Sequence, residues 1–269
     1  MYTKGVFALI NTVLFLNIQV CNSQNQIFYH SSFEEEIFKS VIAGKFKDTL
    51  GFMLASNIEN DQLSRETAEK ELLEMIQPLQ KRVNKGANEM VTLKKLNRKI
   101  AANYLKNYKK LSDFSDLIDE GTFDCLTSTL LYAYLLEKLG YKYNIKETNY
   151  HIYLVVNLEK KDVLIEPTDP NYGFIWEKKY VDKRIAKYRA DNIKGKDDFL
   201  ASVDIDRKIN LFQLAGLQYY NLAVKQFNKQ EFNQSINSLK KSMIVYDCDR
   251  NRILMDYSLE FMREVSSLK

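Results

Sequence analysis

Proline and glycine are scarce, 3 and 9 among 269 residues. Long stretches therefore run without a chain breaker, which excludes collagen-like and low-complexity architectures and favours helices with a limited sheet. Cysteine and histidine are scarcer still, at 3 and 2. So few sulfurs exclude a disulfide-dense scaffold, and CxxC spacing, His-rich tracts and phosphate-cradling glycine loops are all missing. No metal, nucleotide or redox cofactor is expected. The formal net charge of +4 is spread along the chain as Lys mixed with Glu and Asp. That pattern lacks the basic stripe of a nucleic-acid surface. No uninterrupted apolar run reaches the roughly 20 residues that a membrane span needs, so no integral span is expected.

What is present begins at the N-terminus. Lys4 precedes an apolar run from Gly5 to Val20, interrupted by Asn11 and Asn17, and Cys21-Asn22-Ser23 follow. A charged start, a short hydrophobic middle and a small-residue exit describe a secretory signal peptide, with cleavage expected after Ser23. The protein is then exported, to a periplasm or the extracellular space. Lipid anchoring through Cys21 is the alternative, disfavoured by the bulky Val20 before it. Cleavage leaves Cys125 and Cys248, which an oxidising compartment would allow to pair as a structural bridge.

Residues 24–110 read as helices. Ser31 and Ser32 are cap candidates ahead of Phe33, Ile37, Phe38 and Val41 at helical spacing. Ser64 is a plausible cap for a second stripe, in which Pro78 is expected to kink or end the helix. A third stripe has Lys94, Lys95, Arg98 and Lys99 on its polar face, read as a solvated surface with an anion-binding patch as the alternative.

The stretch from 111 to 190 carries the chemistry. Asp124 is placed to cap an apolar helix from Cys125 to Leu139, and Gly140 to end it. The period then changes to two, giving strands from Tyr141, from His151 to Leu158 and from Val163 to Glu166, with Pro167 as a stop. A helix followed by an antiparallel meander is α+β. A cysteine in a first helical turn sits among unsatisfied N–H groups at the positive end of the dipole, which favours thiolate. His151 is the one internal histidine able to act as base, and Glu166 can orient its ring. A four-residue turn at 159–162 would pair Val155 with Glu166, leaving Glu166 about four residues along from His151. Asp169 is the alternative acid. Asp124, Tyr150, Tyr172 and Trp176 are candidate cleft residues.

Residues 191–206 look like a linker, and 207–269 like a helical hairpin with a covering helix. Leu222, Ala223, Phe227, Phe232, Ser235, Leu239 and Ser242 fall at spacings that resemble one tetratricopeptide repeat. A partner protein on this hairpin is the minority reading beside a structural role.

Cysteine at a helix start, a helix ending in Leu-Gly, a His heading an alternating strand, and an acid followed by Pro-Thr together resemble the transglutaminase-like cysteine superfamily. The resemblance covers about 50 residues. It implies a papain/transglutaminase-like core, a Cys-bearing helix packed on antiparallel strands, with Cys125 as nucleophile, His151 as base and Glu166 in the orienting position. Glu166 stands where the family usually has Asp, and Phe123 where it often has Gly. The function implied is thiol-dependent acyl chemistry on a protein or peptide, hydrolysis of an amide being favoured over cross-linking. The competing expectation is a non-catalytic binding protein whose sheet cleft and C-terminal hairpin hold a partner.

Overall fold

The structure, a computed structural model, describes residues 26–194, 203 and 205–267. The expected signal segment and Cys21 lie outside the described residues, as does most of the stretch from 195 to 204. Four helices come first: α1 Ser32–Ile42, α2 Thr49–Leu54, α3 Gln62–Asn84 and α4 Glu89–Tyr104. Ser31 caps α1 as the sequence suggested, accepting from the Glu34 N–H. The cap of α3 is Asp61, which accepts from both the N–H and the hydroxyl of Ser64. Ser64 is therefore inside the helix, contrary to expectation. Pro78 does not end α3 either. It lies on the exposed face, as does Glu74 one turn earlier, so water can satisfy the carbonyl that proline leaves without a donor.

A two-residue parallel pair, β1 Asn107–Tyr108 and β2 Thr122–Phe123, flanks α5 Phe114–Glu120. Gly121 ends α5 at φ +75°, a left-handed turn for which glycine carries no Cβ penalty. Next comes α6 Cys125–Lys138, most of whose side chains are buried. Helices apolar all round belong inside a core, and α6 is the central one here.

The sheet follows: β3 Lys142–Thr148, β4 Ile152–Asn157, β5 Asp162–Ile165 and β6 Phe174–Ile175. It is antiparallel throughout, in the order β6-β5-β4-β3-β7. The last strand, β7 Asp206–Ile209, pairs with β3 and begins at the end of the stretch read as a linker. Alternation along β4 divides two environments. Ile152, Leu154 and Val156 enter the main core with α6, whereas Tyr153 and Val155 join a smaller cluster with Leu164 and Val181. Val181 belongs to α7 Lys178–Lys194, whose last turn runs into the stretch read as a linker.

Three helices close the chain: α8 Leu211–Asn228, α9 Phe232–Val245 and α10 Asp249–Ser267. Small residues let α8 and α9 approach closely. Ser235 donates to the Ala223 carbonyl at 3.0 Å and Ser242 to that of Gly216 at 2.9 Å. A Cβ on Gly216 would lie 2.9 Å from Val245. The mixed helix and antiparallel sheet establish an α+β protein. Among the described residues, no helix is long and apolar enough to cross a membrane.

Candidate functional site

Asp124 closes a capping box on α6. It accepts from the Thr127 N–H at 2.8 Å, while the Thr127 hydroxyl accepts from the Asp124 N–H at 2.9 Å. It also accepts from Asn221 of α8 at 3.3 Å. Asp124 is thus a buried capping residue. The cap fixes Cys125 at the first helical position, next to the backbone N–H of Ile152 at the head of β4.

His151 is held in the turn between β3 and β4. The Thr148 hydroxyl both accepts from the His151 N–H and donates to its carbonyl, each at 3.0 Å. Its Nε2 meets Glu166 Oε2 directly. The hairpin explains how. Leu158 N–H donates to Lys161 O, so the β4–β5 turn has two central residues rather than the expected four. Leu154 then pairs with Ile165, which places Glu166 beyond Ile165 on the face shared by Tyr153 and His151. His151 becomes its diagonal neighbour, a separation that long side chains bridge. The tighter turn reduces the four-residue offset to two.

Glu166 is buried and accepts from three further donors: the Thr168 N–H at 3.0 Å, the Thr168 hydroxyl at 2.5 Å and the Tyr188 hydroxyl. Burial pushes its carboxyl up, but His151, Thr168 and Tyr188 more than offset this and hold it at about 2. An ionised Glu166 accepts from Nε2–H, so the neutral ring carries its lone pair on Nδ1. Tyr188 is itself raised, by burial and then by the Glu166 charge, and remains a donor. Its ring lies 4.8 Å from that of His151. Arg184, one turn before Tyr188, bonds to it and pairs with Asp169 at 3.4 Å. Asp169, the alternative acid, also accepts from the Tyr172 N–H at 3.0 Å, and it is Glu166 that bonds to His151. It shapes the loop after β5.

The thiol departs from the sequence expectation. Burial, then the negative charges of Asp124 and Glu166, push Cys125 up to about 12, against the weaker pull of the Ile152 N–H and Arg250. The helix terminus does not yield a thiolate here, because burial, followed by the charges of Asp124 and Glu166, outweighs it. Among the described residues no hydrogen bond joins the thiol to the imidazole. Cys125 is half-buried and Cys248 is buried, the Cys248 thiol being pushed up to about 11 chiefly by burial. Cys125 and Cys248 are both free, so the alternative of a bridge between them does not hold, and Cys248 lies buried in the loop between α9 and α10.

The site has supports that sequence reasoning missed. Tyr108, on β1 beside Phe123, lies within electrostatic reach of Cys125, Asp124 and Glu166, which with burial raise its hydroxyl. Arg250 of α10 donates to the Thr148 carbonyl at 2.9 Å and pairs with buried Glu147 at 3.0 Å. Tyr246 donates to the same carboxylate at 2.7 Å. The helical C-terminal region therefore braces the turn that presents His151.

Two openings adjoin this network. One, about 280 Å³, is lined by Thr148, Tyr150, His151, Glu166 and Tyr188 among others. The second, about 750 Å³, lies between β6 and α7 and contains Tyr172 and Trp176. Tyr150, Tyr172 and Trp176, three of the proposed cleft residues, thus line these openings. Among the described residues no cluster of His, Cys, Asp or Glu is arranged to hold a metal. Comparisons with family models, curated proteins and solved structures give no match.

Proposed function

We propose that the protein is an exported cysteine hydrolase of transglutaminase-like architecture, acting on amide bonds of proteins or peptides. The observation that carries the reading is the buried Glu166 engaged with His151 Nε2, beside the head of the helix that bears Cys125. A carboxylate held ionised at that nitrogen fixes the tautomer, makes Nδ1 the basic atom and stabilises the imidazolium once formed. The resemblance in the sequence around Cys125, His151 and Glu166 points the same way.

In this reading the resting thiol is neutral and His151 acts as general base at the moment of attack, rather than as partner in a standing ion pair. Sγ bonds to the substrate carbonyl carbon as its proton passes to Nδ1. The imidazolium then returns that proton to the departing amine as the C–N bond breaks, leaving a thioester. Water attacks the thioester with His151 again taking the proton, and the acid leaves as the thiol is restored. In this reading the Cys125 N–H is the backbone donor to the developing oxyanion, and Tyr108, within electrostatic reach of the thiol, is the side-chain donor.

The test is hydrolysis of a fluorogenic peptide library. Cys125→Ala should abolish activity, and His151→Ala should reduce kcat by roughly 10²–10⁴-fold. Tyr108→Phe should lower kcat with little change in KM. The high thiol also favours a second reading, a non-catalytic peptide-binding protein. Peptide capture that survives Cys125→Ala, with no turnover by the unaltered protein, would decide for it.

A further inference from the structure

The larger cavity has features that the chemistry of the thiol site does not use. Four of its ten lining residues are aromatic, and two of these side chains stand open to solvent, Tyr172 at 80% and Tyr180 at 51% exposure. Trp176 completes the surface, with the Lys94 ammonium 3.9 Å above its ring. Three lining side chains are cationic, Lys183, Arg184 and Lys187, and one, Glu177, is anionic. At about 750 Å³ the space lies within the range of ligand pockets. Arg184 and Lys187 also line the smaller opening at His151 and Glu166, so the two spaces share a wall. The floor includes β6, which is an edge strand.

We propose that this cavity is the substrate-selecting subsite of the Cys125 site. It takes an extended peptide with a bulky aromatic side chain next to an acidic one. Each part of the ligand follows from a wall. Exposed rings stack with an aromatic side chain and gain more than area burial alone. With Arg184 engaged by Asp169, Lys183 and Lys187 still outnumber Glu177 and favour a neighbouring carboxylate. An edge strand offers unpaired backbone groups, which a peptide can match by adding a strand and a sugar or lipid cannot. The shared wall of Arg184 and Lys187 leads the bound chain toward His151. The proposal rests on the hydrolase reading for its direction but is tested by binding.

Trp176 is the sole tryptophan of the chain, so its fluorescence reports on this cavity alone. The probes are four N-acetylated, C-amidated hexapeptides pairing Phe or Ala with Glu or Lys, titrated into full-length protein carrying Cys125→Ala. The Phe-Glu peptide should shift Trp176 emission saturably and bind at least tenfold more tightly than the Ala-Lys peptide. Tyr172→Ala with Tyr180→Ala, both at exposed positions, should weaken it at least tenfold. Lys183→Glu with Lys187→Glu should reverse the preference between Glu and Lys. Unchanged emission with all four peptides, or affinities indifferent to both double variants, overturns the subsite. Peptide binding that follows these rules without turnover by the unaltered protein would sustain the subsite and sink the hydrolase. Turnover indifferent to Tyr172 and Tyr180 would do the reverse.

Discussion

Alkylation of Cys125 across pH is the most direct consequence of its surroundings. An unperturbed cysteine titrates near 8.5, whereas burial and two flanking carboxylates place this one at about 12. At about pH 7.5 the thiolate fraction is then lower by roughly three orders of magnitude or slightly more. A more basic thiolate is a better nucleophile, with a Brønsted slope of about 0.4–0.5, which returns about one and a half orders. Iodoacetamide should therefore modify Cys125 on the order of a hundred times more slowly than the same cysteine in denatured protein. The rate should climb about tenfold per pH unit through pH ~10 without levelling. Digestion and mass mapping resolve Cys125 from Cys248, and His151→Ala should leave the Cys125 profile unchanged. A plateau below about pH 8.5, abolished by His151→Ala, would refute the burial argument and show that a thiolate–imidazolium pair is the resting state.

Other consequences concern the carboxylates and the turn after β5. Glu166 titrates at about 2 in the fold against 4.5 ordinarily, so its ionisation adds stability that is full above about 4.5 and lost as pH falls toward 2. The shift corresponds to about 3 kcal/mol at most. The difference in Tm between the unaltered protein and Glu166→Gln should thus be large at pH ~6 and shrink across that acid window; a constant difference would contradict it. Gly173 has room for no Cβ, which would lie 2.2 Å from the Glu166 carbonyl. Gly173→Ala should displace Glu166 and cut activity while the helices, followed by far-UV circular dichroism, persist. Lys241 pairs with Glu34 at 2.7 Å with both side chains buried. Glu34→Ala strands that ammonium and should cost about 3–5 kcal/mol in urea denaturation, whereas Glu34→Leu with Lys241→Met should cost much less.

Much of this site was legible because it is written in local rules. The Asp124 cap, the left-handed Gly140 (φ +75°) and the change of period after it are all realised, and they carry Cys125 and His151 to a helix start and a strand head. The His151–Glu166 contact was not legible, since it depends on whether the turn at Glu159–Lys160 has two central residues or four, a shift that leaves the alternation pattern unchanged. Tyr188 was missed because α7 is rich in charge and weakly amphipathic. Strand β7 was missed because Asp206-Arg207-Lys208 reads as a solvated segment until Arg207 finds Asp249 at 3.0 Å. The thiol was misjudged for a different reason. A helix terminus is a local feature, but the burial and the Glu166 charge that outweigh it exist only after the strands have packed.

The bracing of the β3–β4 turn by Tyr246 and Arg250 has a consequence for the order of events in synthesis. Cys125, His151 and Glu166 leave the ribosome well before residue 206, and β7 and α10 follow about 40 to 80 residues behind Glu166. Until then β3 has an open edge and Glu147 lacks its partners. A nascent or C-terminally truncated chain therefore holds the three site residues without the frame that sets their geometry. For the proposed hydrolase, competence at Cys125 would therefore follow arrival of the last helix.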